Sequence, residues 1–210
     1  MKIYKYGHAC FVAENHGQSL IVDPGDYSLD LVVPDNTVAV VVTHEHADHV
    51  SRTLLQKIID KNPHVIIVTH QNVANKLSEF NIQCVRAGET FEINGFNLEF
   101  FGGQHAIIDK DWPAITNLGV LINNQLYYPG DSFAIPDRPV NILALPISAP
   151  WLKISEALHF LRSVKPAVVF PTHDAILSDT GKELLDRMIH VVAQNTGTHY
   201  RRINKESLEA

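Results

Sequence analysis

The stretch VAVVVTHEHADH, residues 38–49, joins an unbroken apolar run to a turn that is rich in histidine. Five consecutive apolar residues, 38–42, are typical of a strand that is buried on both faces. The turn then carries three histidines within six positions, and packing explains these poorly because each ring nitrogen needs a hydrogen-bond partner. A bound metal meets that need. The sequence therefore predicts a metal-binding turn at the carboxyl end of a strand, where sites collect in open α/β sheets; the alternative is a polar loop with chance histidines.

The spacing within the turn favours two metal ions rather than one. His44 and His46 are two residues apart, so both can reach one ion from an extended turn. Asp48 and His49 then point elsewhere and can serve a second ion. Imidazole and carboxylate ligands suit zinc, iron or manganese. We expect two divalent ions, with zinc as the first expectation and manganese or iron as alternatives.

Other predicted strands also end in a polar residue. Working outward from the turn, these residues are Asp23, His105, Asp131 and His173. Because such strand ends meet at one edge of a sheet system, we expect them to converge, with Asp131 as a bridge between the ions. The expected ligands of the first ion are His44, His46 and His105. The expected ligands of the second ion are Asp48, His49 and His173. Asp23 and Thr43 are expected to orient ligands from behind, although Asp23 could equally cap its own turn.

The rest of the chain predicts an α/β fold. Residues 38–80 alternate strand, helix, strand and helix, which implies parallel pairing. A group of strands followed by such units occurs twice, so two sheets packed face to face with helices outside predict a four-layer αββα sandwich. The final helix is expected to begin near Asp179, with Thr180 and Glu183 at capping-box spacing. The polar tail from about Thr196 is expected to add little to the chemistry.

Composition limits the class of protein. The chain has 210 residues, 45% apolar and 19% charged, which fits one domain spanning residues 1–210. A net charge of −6 without a basic cluster argues against a nucleic-acid partner. No apolar segment resembles a signal peptide or a membrane span, so we expect a cytoplasmic protein with a small-molecule substrate. Cys10 and Cys84 are expected to be reduced core residues. The sequence leaves a homo-oligomer open.

Three aromatic residues on loops are candidate walls of a substrate pocket, from loop position alone: Trp112, Phe133 and Trp151. Trp112 belongs to the long irregular stretch 106–116, and packing that loop onto the protein would be an equally good use of its ring. His8 is ambiguous. A structural or pocket-wall role is favoured over a ligand role, because its sequence neighbours supply no second ligand.

The ordered pattern H-x-H-x-D-H, later His, later Asp and final His resembles the signature of the metallo-β-lactamase superfamily. It falls here at His44, His46, Asp48, His49, His105, Asp131 and His173. The resemblance covers the whole chain and implies the αββα fold and a metal-dependent hydrolase. Residues 7–10 and 23–25, with the compact length, resemble the small bacterial hydrolases related to L-ascorbate-6-phosphate lactonase. The redox di-iron branch has Glu at the position of His46, so this departure favours hydrolysis.

The expected chemistry follows from two neighbouring cations, which can bring the pKa of a bridged water near neutrality. The resulting hydroxide would attack a small ester, lactone or amide, including a phosphorylated lactone. Asp48 is the expected catalytic residue that holds and steers its proton. The alternatives are a phosphodiesterase acting on a small nucleotide or RNA, and a non-catalytic metal-binding protein.

Overall fold

The computed structural model describes residues 1–203 and 207–209 of the chain. Its helices and strands fall into two successive halves. The first half contains β1 (Lys2–Tyr6), β2 (Cys10–Asn15), β3 (Gln18–Val22), β4 (Thr37–Val41), α1 (Arg52–Lys61), β5 (Ile66–Thr69), α2 (Gln71–Lys76) and β6 (Ile82–Cys84). The second half contains β7 (Thr90–Ile93), β8 (Phe96–Gly102), β9 (Leu118–Ile122), β10 (Leu126–Tyr128), β11 (Ile142–Pro146), α3 (Ile154–Val164), β12 (Val168–Thr172), α4 (Asp179–Thr196), β13 (His199–Tyr200) and β14 (Leu208–Glu209).

Two seven-stranded sheets form the centre of the protein, in the orders β14-β1-β2-β3-β4-β5-β6 and β13-β12-β11-β10-β9-β8-β7. Strands β3 to β6 pair in parallel, as the alternating strand–helix pattern predicts. Strands β10 to β13 repeat the parallel arrangement in the second sheet. The predicted four-layer αββα sandwich is confirmed, because each sheet packs on its partner through one face and on helices through the other.

Alternation along the strands divides the apolar side chains among three cores. The core between the sheets contains Phe11, whose ring meets Tyr128 and Phe170 edge-on at centroid distances of 5.5 and 6.1 Å. Outside the first sheet, α1 and α2 bury residues such as Leu55 and Val73. Outside the second sheet, α3 and α4 bury their own apolar stripes. Close packing on both faces holds the strand ends, and hence the residues that follow them, in fixed positions.

The helix and strand ends differ from the prediction in two places. The N-cap of α4 is Ser178, whose Oγ accepts a hydrogen bond from the Gly181 N–H, so the capping box predicted from Thr180 is wrong. The tail, for which the sequence predicts no strand, contains the short edge strands β13 and β14. A two-residue strand has no periodicity from which it could be predicted.

Of the two cysteines, Cys10 is buried as predicted, whereas Cys84 is exposed at the end of the edge strand β6, so the prediction of two core cysteines is wrong for Cys84. None of the described helices combines the length and the apolar character that crossing a membrane requires.

Candidate metal centre

The seven residues singled out by the strand-end pattern meet at one edge of the sandwich. The turn 44–49 follows β4 in the first sheet, while His105, Asp131 and His173 follow β8, β10 and β12 in the second. His173 adopts a left-handed backbone with φ of 60°, and Asp23 after β3 does so with φ of 44°. Such conformations are uncommon for residues other than glycine, and strain of this kind is concentrated at functional sites.

Four of the histidines are held in the same tautomer. In each of them Nδ1 lies within hydrogen-bond distance of a protein oxygen, so in the neutral imidazole Nδ1 carries the hydrogen and Nε2 is the nitrogen that can offer a lone pair to a cation. The four pairs are His44 with Thr43 Oγ1 at 3.0 Å, His49 with Asp23 Oδ2 at 2.6 Å, His105 with the Ala106 carbonyl at 2.5 Å and His173 with the Ser148 carbonyl at 2.5 Å. Sequence alone does not reveal the two carbonyl partners, because every residue has a carbonyl.

Asp23 supports the turn from behind. Its carboxylate is fully buried and accepts hydrogen bonds from the Thr43 N–H at 2.8 Å and the Thr43 hydroxyl at 2.7 Å. The Thr43 hydroxyl therefore accepts from His44, while Asp23 also accepts from His49. One carboxylate thus fixes the ring orientation of two histidines, the geometry that ligand-orienting groups adopt around metal ions.

One group of possible ligand atoms consists of His44, His46, His105 and Asp131, all within 4.8 Å of one another. His44 Nε2 and His46 Nδ1 are 3.0 Å apart, and His105 Nε2 lies 3.4 Å from Asp131 Oδ2. His105 Nε2 is buried, and no described residue makes a hydrogen bond to it. Two acceptors would therefore face each other without a hydrogen between them, which is costly in a buried site. A cation between them removes that cost, so the donor set fits a metal.

A second group lies on the other side of Asp131. Its Oδ1 atom is 3.2 Å from Nε2 of both His49 and His173, and those two nitrogens are themselves 3.2 Å apart. Asp48 Oδ2 lies 3.3 Å from His173 Nε2 and 3.7 Å from His49 Nε2. The two oxygens of Asp131 thus face different groups, which is the arrangement expected of a carboxylate shared between two cations.

Burial and neighbouring charges shift the pKa values of the site residues, and the direction differs from residue to residue. Burial lowers the pKa of His44 well below its ordinary value, and the nearby His49 charge lowers it further. Although burial alone would raise the pKa of Asp131, the charge on His49 holds it well below its usual range. Burial also opposes a charge on His173, but hydrogen bonds with Asp131 and Asp48 raise its pKa to about 9. Such opposed shifts in one cluster are typical of functional sites.

The three aromatic residues predicted to line a pocket occupy different places. Trp112 is 65% exposed on the loop 106–116 and lines a cavity. Trp151 is buried, and its indole N–H donates to Asp131 Oδ2 at 2.8 Å. Phe133 packs on Trp151 and on Phe160 at centroid distances of 5.3 and 5.2 Å. Phe133 and Trp151 are not among the residues that line this cavity, and their role as substrate walls stays a prediction.

His8 lies inside the site, beside ligand-type residues that are distant from it in the sequence, and its role stays a prediction. Its Nε2 atom is 3.4 Å from Asp48 Oδ2, and its ring centroid is 3.9 Å from that of His173. The turn between β1 and β2 brings it there, and Gly7 in that turn has φ of 48°. The sequence signal was the Gly7–His8 pair between two strands, which carries no distance information.

A cavity of about 400 Å³ adjoins the first ligand group. His46 and His105 line this cavity together with the loop that follows His105. The apolar residues of that wall are Ala106, Ile107, Ile108, Trp112, Pro113, Ala114 and Ile115. A concave apolar space beside convergent polar groups is the usual form of a small-molecule site.

Comparisons with known proteins agree with this geometry. The family model for the beta-lactamase superfamily domain matches residues 2–173. Protein Rv0786c of Mycobacterium tuberculosis is 33% identical over 183 residues, covering 85% of this chain and 86% of the relative. A UPF0173 metal-dependent hydrolase of Carboxydothermus hydrogenoformans is 27% identical over 207 residues, covering 87% and 90%.

A solved structure shares the architecture. The metallo-beta-lactamase fold protein YhfI from Bacillus subtilis has a TM-score of 0.74 at 16% identity, covering all of this chain and 98% of YhfI. At that identity the likeness concerns the fold alone. The family match covers most of the chain, and the ligand-type residues of the expected signature meet at one edge of this fold. The chain therefore belongs to the beta-lactamase superfamily domain family and has the metallo-β-lactamase fold.

Proposed function

We propose that the protein is a metal-dependent hydrolase of small esters, lactones or amides that carry an apolar group. One observation carries the proposal. Two clusters of possible metal ligands, each made of histidine and aspartate side chains, lie together beside an apolar cavity. The name of the Carboxydothermus relative, a metal-dependent hydrolase, supports the same activity.

The proposed centre holds two divalent cations, with Asp131 shared between them. His44, His46 and His105 are the remaining ligands of one cation. Asp48, His49 and His173 are those of the other. Imidazole and carboxylate accept zinc, manganese and iron, and zinc is proposed first because it favours low coordination numbers with imidazole. When bound, such cations polarise a carbonyl and lower the pKa of water.

Asp48 is the proposed proton acceptor. Its side chain is 22% exposed, whereas the side chains of Asp131 and Asp23 are 3% and 0% exposed, so Asp48 is the site carboxylate that solvent reaches. Burial alone would raise its pKa, but close contacts with the His173 and His8 imidazoles hold it well below the usual range. Asp48 is therefore ionised at neutral pH and can accept a hydrogen bond from an attacking water at Oδ2.

The cavity indicates the substrate class. Its wall is apolar from Ala106 to Ile108 and again from Trp112 to Ile115, and burying each methylene group of a ligand there contributes about 0.8 kcal/mol. Lys110 is the one lysine or arginine among the described residues that line it, and it pairs with Asp111 at 3.4 Å. These features favour an uncharged apolar group beside the scissile bond. A phosphorylated lactone is the alternative within the same reaction class.

The test compares p-nitrophenyl esters of increasing acyl length on Zn²⁺-reconstituted protein. We expect kcat/KM to rise about fourfold per methylene group, the factor that about 0.8 kcal/mol corresponds to, until the cavity is filled. Trp112→Ala should flatten this dependence while leaving the acetate ester little affected. Bis-nitrophenyl phosphate and a sugar-phosphate lactone are parallel substrates. If either of these is turned over faster than the esters, the proposed substrate class of apolar esters is wrong. If none of the substrates is turned over, the proposed hydrolase activity is wrong.

Cation binding should release protons. Because hydrogen bonds raise the pKa of His173 to about 9, its Nε2 is protonated at neutral pH in the metal-free protein. A Zn²⁺ ion has to displace that proton, so the apparent affinity should rise with pH, by up to about tenfold per unit, until about pH 9. Calorimetry at pH 7 in buffers of different ionisation enthalpy measures the release. Identical heats in all buffers would mean that no proton leaves.

Trp151→Phe tests the support beneath Asp131. Phenylalanine keeps a ring against Phe133 but removes the N–H that donates to Asp131 Oδ2 at 2.8 Å. Loss of such an outer partner typically weakens metal affinity about 10–100-fold, and we expect that range here. Competition with a chromophoric chelator measures it. The matched control is Trp112→Phe, on the exposed loop, which should bind Zn²⁺ like the wild type; equal affinity of both variants would contradict the role.

A further inference from the structure

We propose that His8 is a positioning residue that faces Asp48 as an N–H donor, rather than a metal ligand. The inference rests on the proposed cation centre. The position of His8 makes the distinction necessary, since its Nε2 atom, Asp48 and His173 together form a group that could hold a cation. The surroundings of its other ring nitrogen decide between the two roles.

The tautomer of His8 is opposite to that of the four supported histidines. The Ala175 backbone N–H donates to His8 Nδ1 at 3.0 Å. A nitrogen that accepts a hydrogen bond carries the lone pair, so the ring hydrogen of the neutral imidazole is on Nε2. A nitrogen that carries hydrogen has no lone pair for a cation. In His44, His49, His105 and His173 the protein instead offers an oxygen to Nδ1, which leaves Nε2 free.

Among the described residues, Asp48 provides the carboxylate acceptor for the hydrogen on His8 Nε2. The side chain of His8 is fully buried, and no described residue makes a well-directed hydrogen bond with Nε2. The nearest carboxylate oxygen of the site is Asp48 Oδ2, at 3.4 Å. Hydrogen bonds within a catalytic site are often long before the site is loaded, so this distance suits a contact that shortens on binding. An N–H donor at His8 Nε2 holds Oδ2 of Asp48 in place, and Asp48 is the carboxylate proposed to accept the proton of water.

The backbone holds His8 rigidly in this orientation. Its carbonyl accepts a hydrogen bond from the His173 N–H at 2.9 Å, so the two residues are joined through backbone and ring contact. Gly7 has φ of 48°, and a Cβ on it would lie 2.1 Å from the Tyr27 carbonyl oxygen. The turn can therefore be formed only with glycine before His8. Such precise placement of a buried donor is what a supporting residue requires.

The test uses His8→Phe, which removes both ring nitrogens, and His8→Gln, which restores an N–H donor of similar reach. For His8→Phe we expect kcat to fall about 10–100-fold with wild-type Zn²⁺ stoichiometry. His8→Gln should recover most of that loss. Asp48→Ala and His173→Ala are the comparison variants, and each should lose one Zn²⁺ ion. A His8→Phe protein that also loses an ion would show that His8 is a ligand and overturn the proposal. Wild-type kcat in His8→Phe would overturn it as well.

Nitrogen NMR of [15N]histidine-labelled wild-type protein loaded with Zn²⁺ tests the tautomer without any substrate or variant activity. The signals of His8 are assigned as those that are present in the wild-type spectrum and absent from the spectrum of His8→Phe or of His8→Gln, whichever variant folds. A pyrrole-type Nε2 and a pyridine-type Nδ1 are expected; the reverse assignment would overturn the proposal. If no substrate in the ester, lactone and phosphate panel is turned over, the hydrolase proposal fails, while stoichiometry and tautomer still decide the role of His8.

Discussion

Asp131→Asn is expected to abolish hydrolysis and to reduce the content of bound Zn²⁺ from two ions to fewer than one per chain. The carboxylate faces both ligand groups, with Oδ1 3.2 Å from His49 and His173 and Oδ2 3.4 Å from His105. An amide has one acceptor oxygen and no charge, so it cannot serve both sides. Metal ions typically contribute several kcal/mol of transition-state stabilisation. At 1.4 kcal/mol per factor of ten, kcat/KM should fall at least about 10³-fold.

Metal analysis by mass spectrometry after gel filtration, together with ester kinetics, measures both effects of Asp131→Asn. Asp137→Asn is the matched control, because Asp137 is exposed and pairs only with Arg138 among the described residues. It should retain the metal content and activity of the wild type. If Asp131→Asn kept two tightly bound ions, the shared-carboxylate arrangement would be wrong.

Gly25→Ala is expected to destabilise the fold and to disturb the turn 44–49 at the same time. A Cβ at Gly25 would lie 1.8 Å from the Asp48 carbonyl oxygen and 2.4 Å from the His49 nitrogen. Two backbone hydrogen bonds hold the loops together here, from the Asp26 N–H to Ala47 and from the Ser51 N–H to Pro24. The added Cβ would meet backbone atoms of Asp48 and His49, which cannot move aside as a flexible side chain can. The free energy of unfolding should therefore fall by the upper end of the usual overpacking cost, about 3 kcal/mol, or by more.

Urea unfolding in the presence of a chelator measures the effect of Gly25→Ala on the fold without the contribution of metal. Gly88→Ala is the control for backbone strain, because Gly88 has φ of 85° and no atom of the described residues lies within 4 Å of an added Cβ. It should cost about 1 kcal/mol and leave Zn²⁺ binding unchanged. Equal losses for the two variants would mean that the contact with the turn is not decisive.

The strand-end rule predicted the meeting place of the seven ligand-type residues. It worked because an apolar run such as 38–42 is both easy to recognise and geometrically restrictive. Parallel strands present their carboxyl ends at one edge, and a residue one to three positions beyond the strand has little freedom to lie elsewhere. The same reasoning predicted the layers of the sandwich from the doubled pattern of strands and helices.

The supporting interactions could not be predicted in the same way. The carbonyls of Ala106 and Ser148 fix two histidines, but a carbonyl has no sequence signature. His8 reaches Asp48 across 40 positions of the chain, and single-sequence patterns contain no information on such distances. The loop position of Trp151 predicts a pocket wall but does not reveal that its N–H donates to Asp131. Each of these depends on tertiary packing rather than on local periodicity.

The division of the ligands between the two sheets has a consequence for folding. His44 and His46 extend from the first sheet, and the residues that complete their group extend from the second. Each proposed ion therefore acts as a cross-link between the halves of the chain, comparable to a disulfide that joins two layers. Neither half alone holds a complete set of ligands, so cation affinity and cohesion of the sheets are thermodynamically linked. At a free Zn²⁺ concentration of 100 times the dissociation constant, each ion adds about 2.7 kcal/mol to the free energy of unfolding. This stabilisation is lost when the two sheets separate.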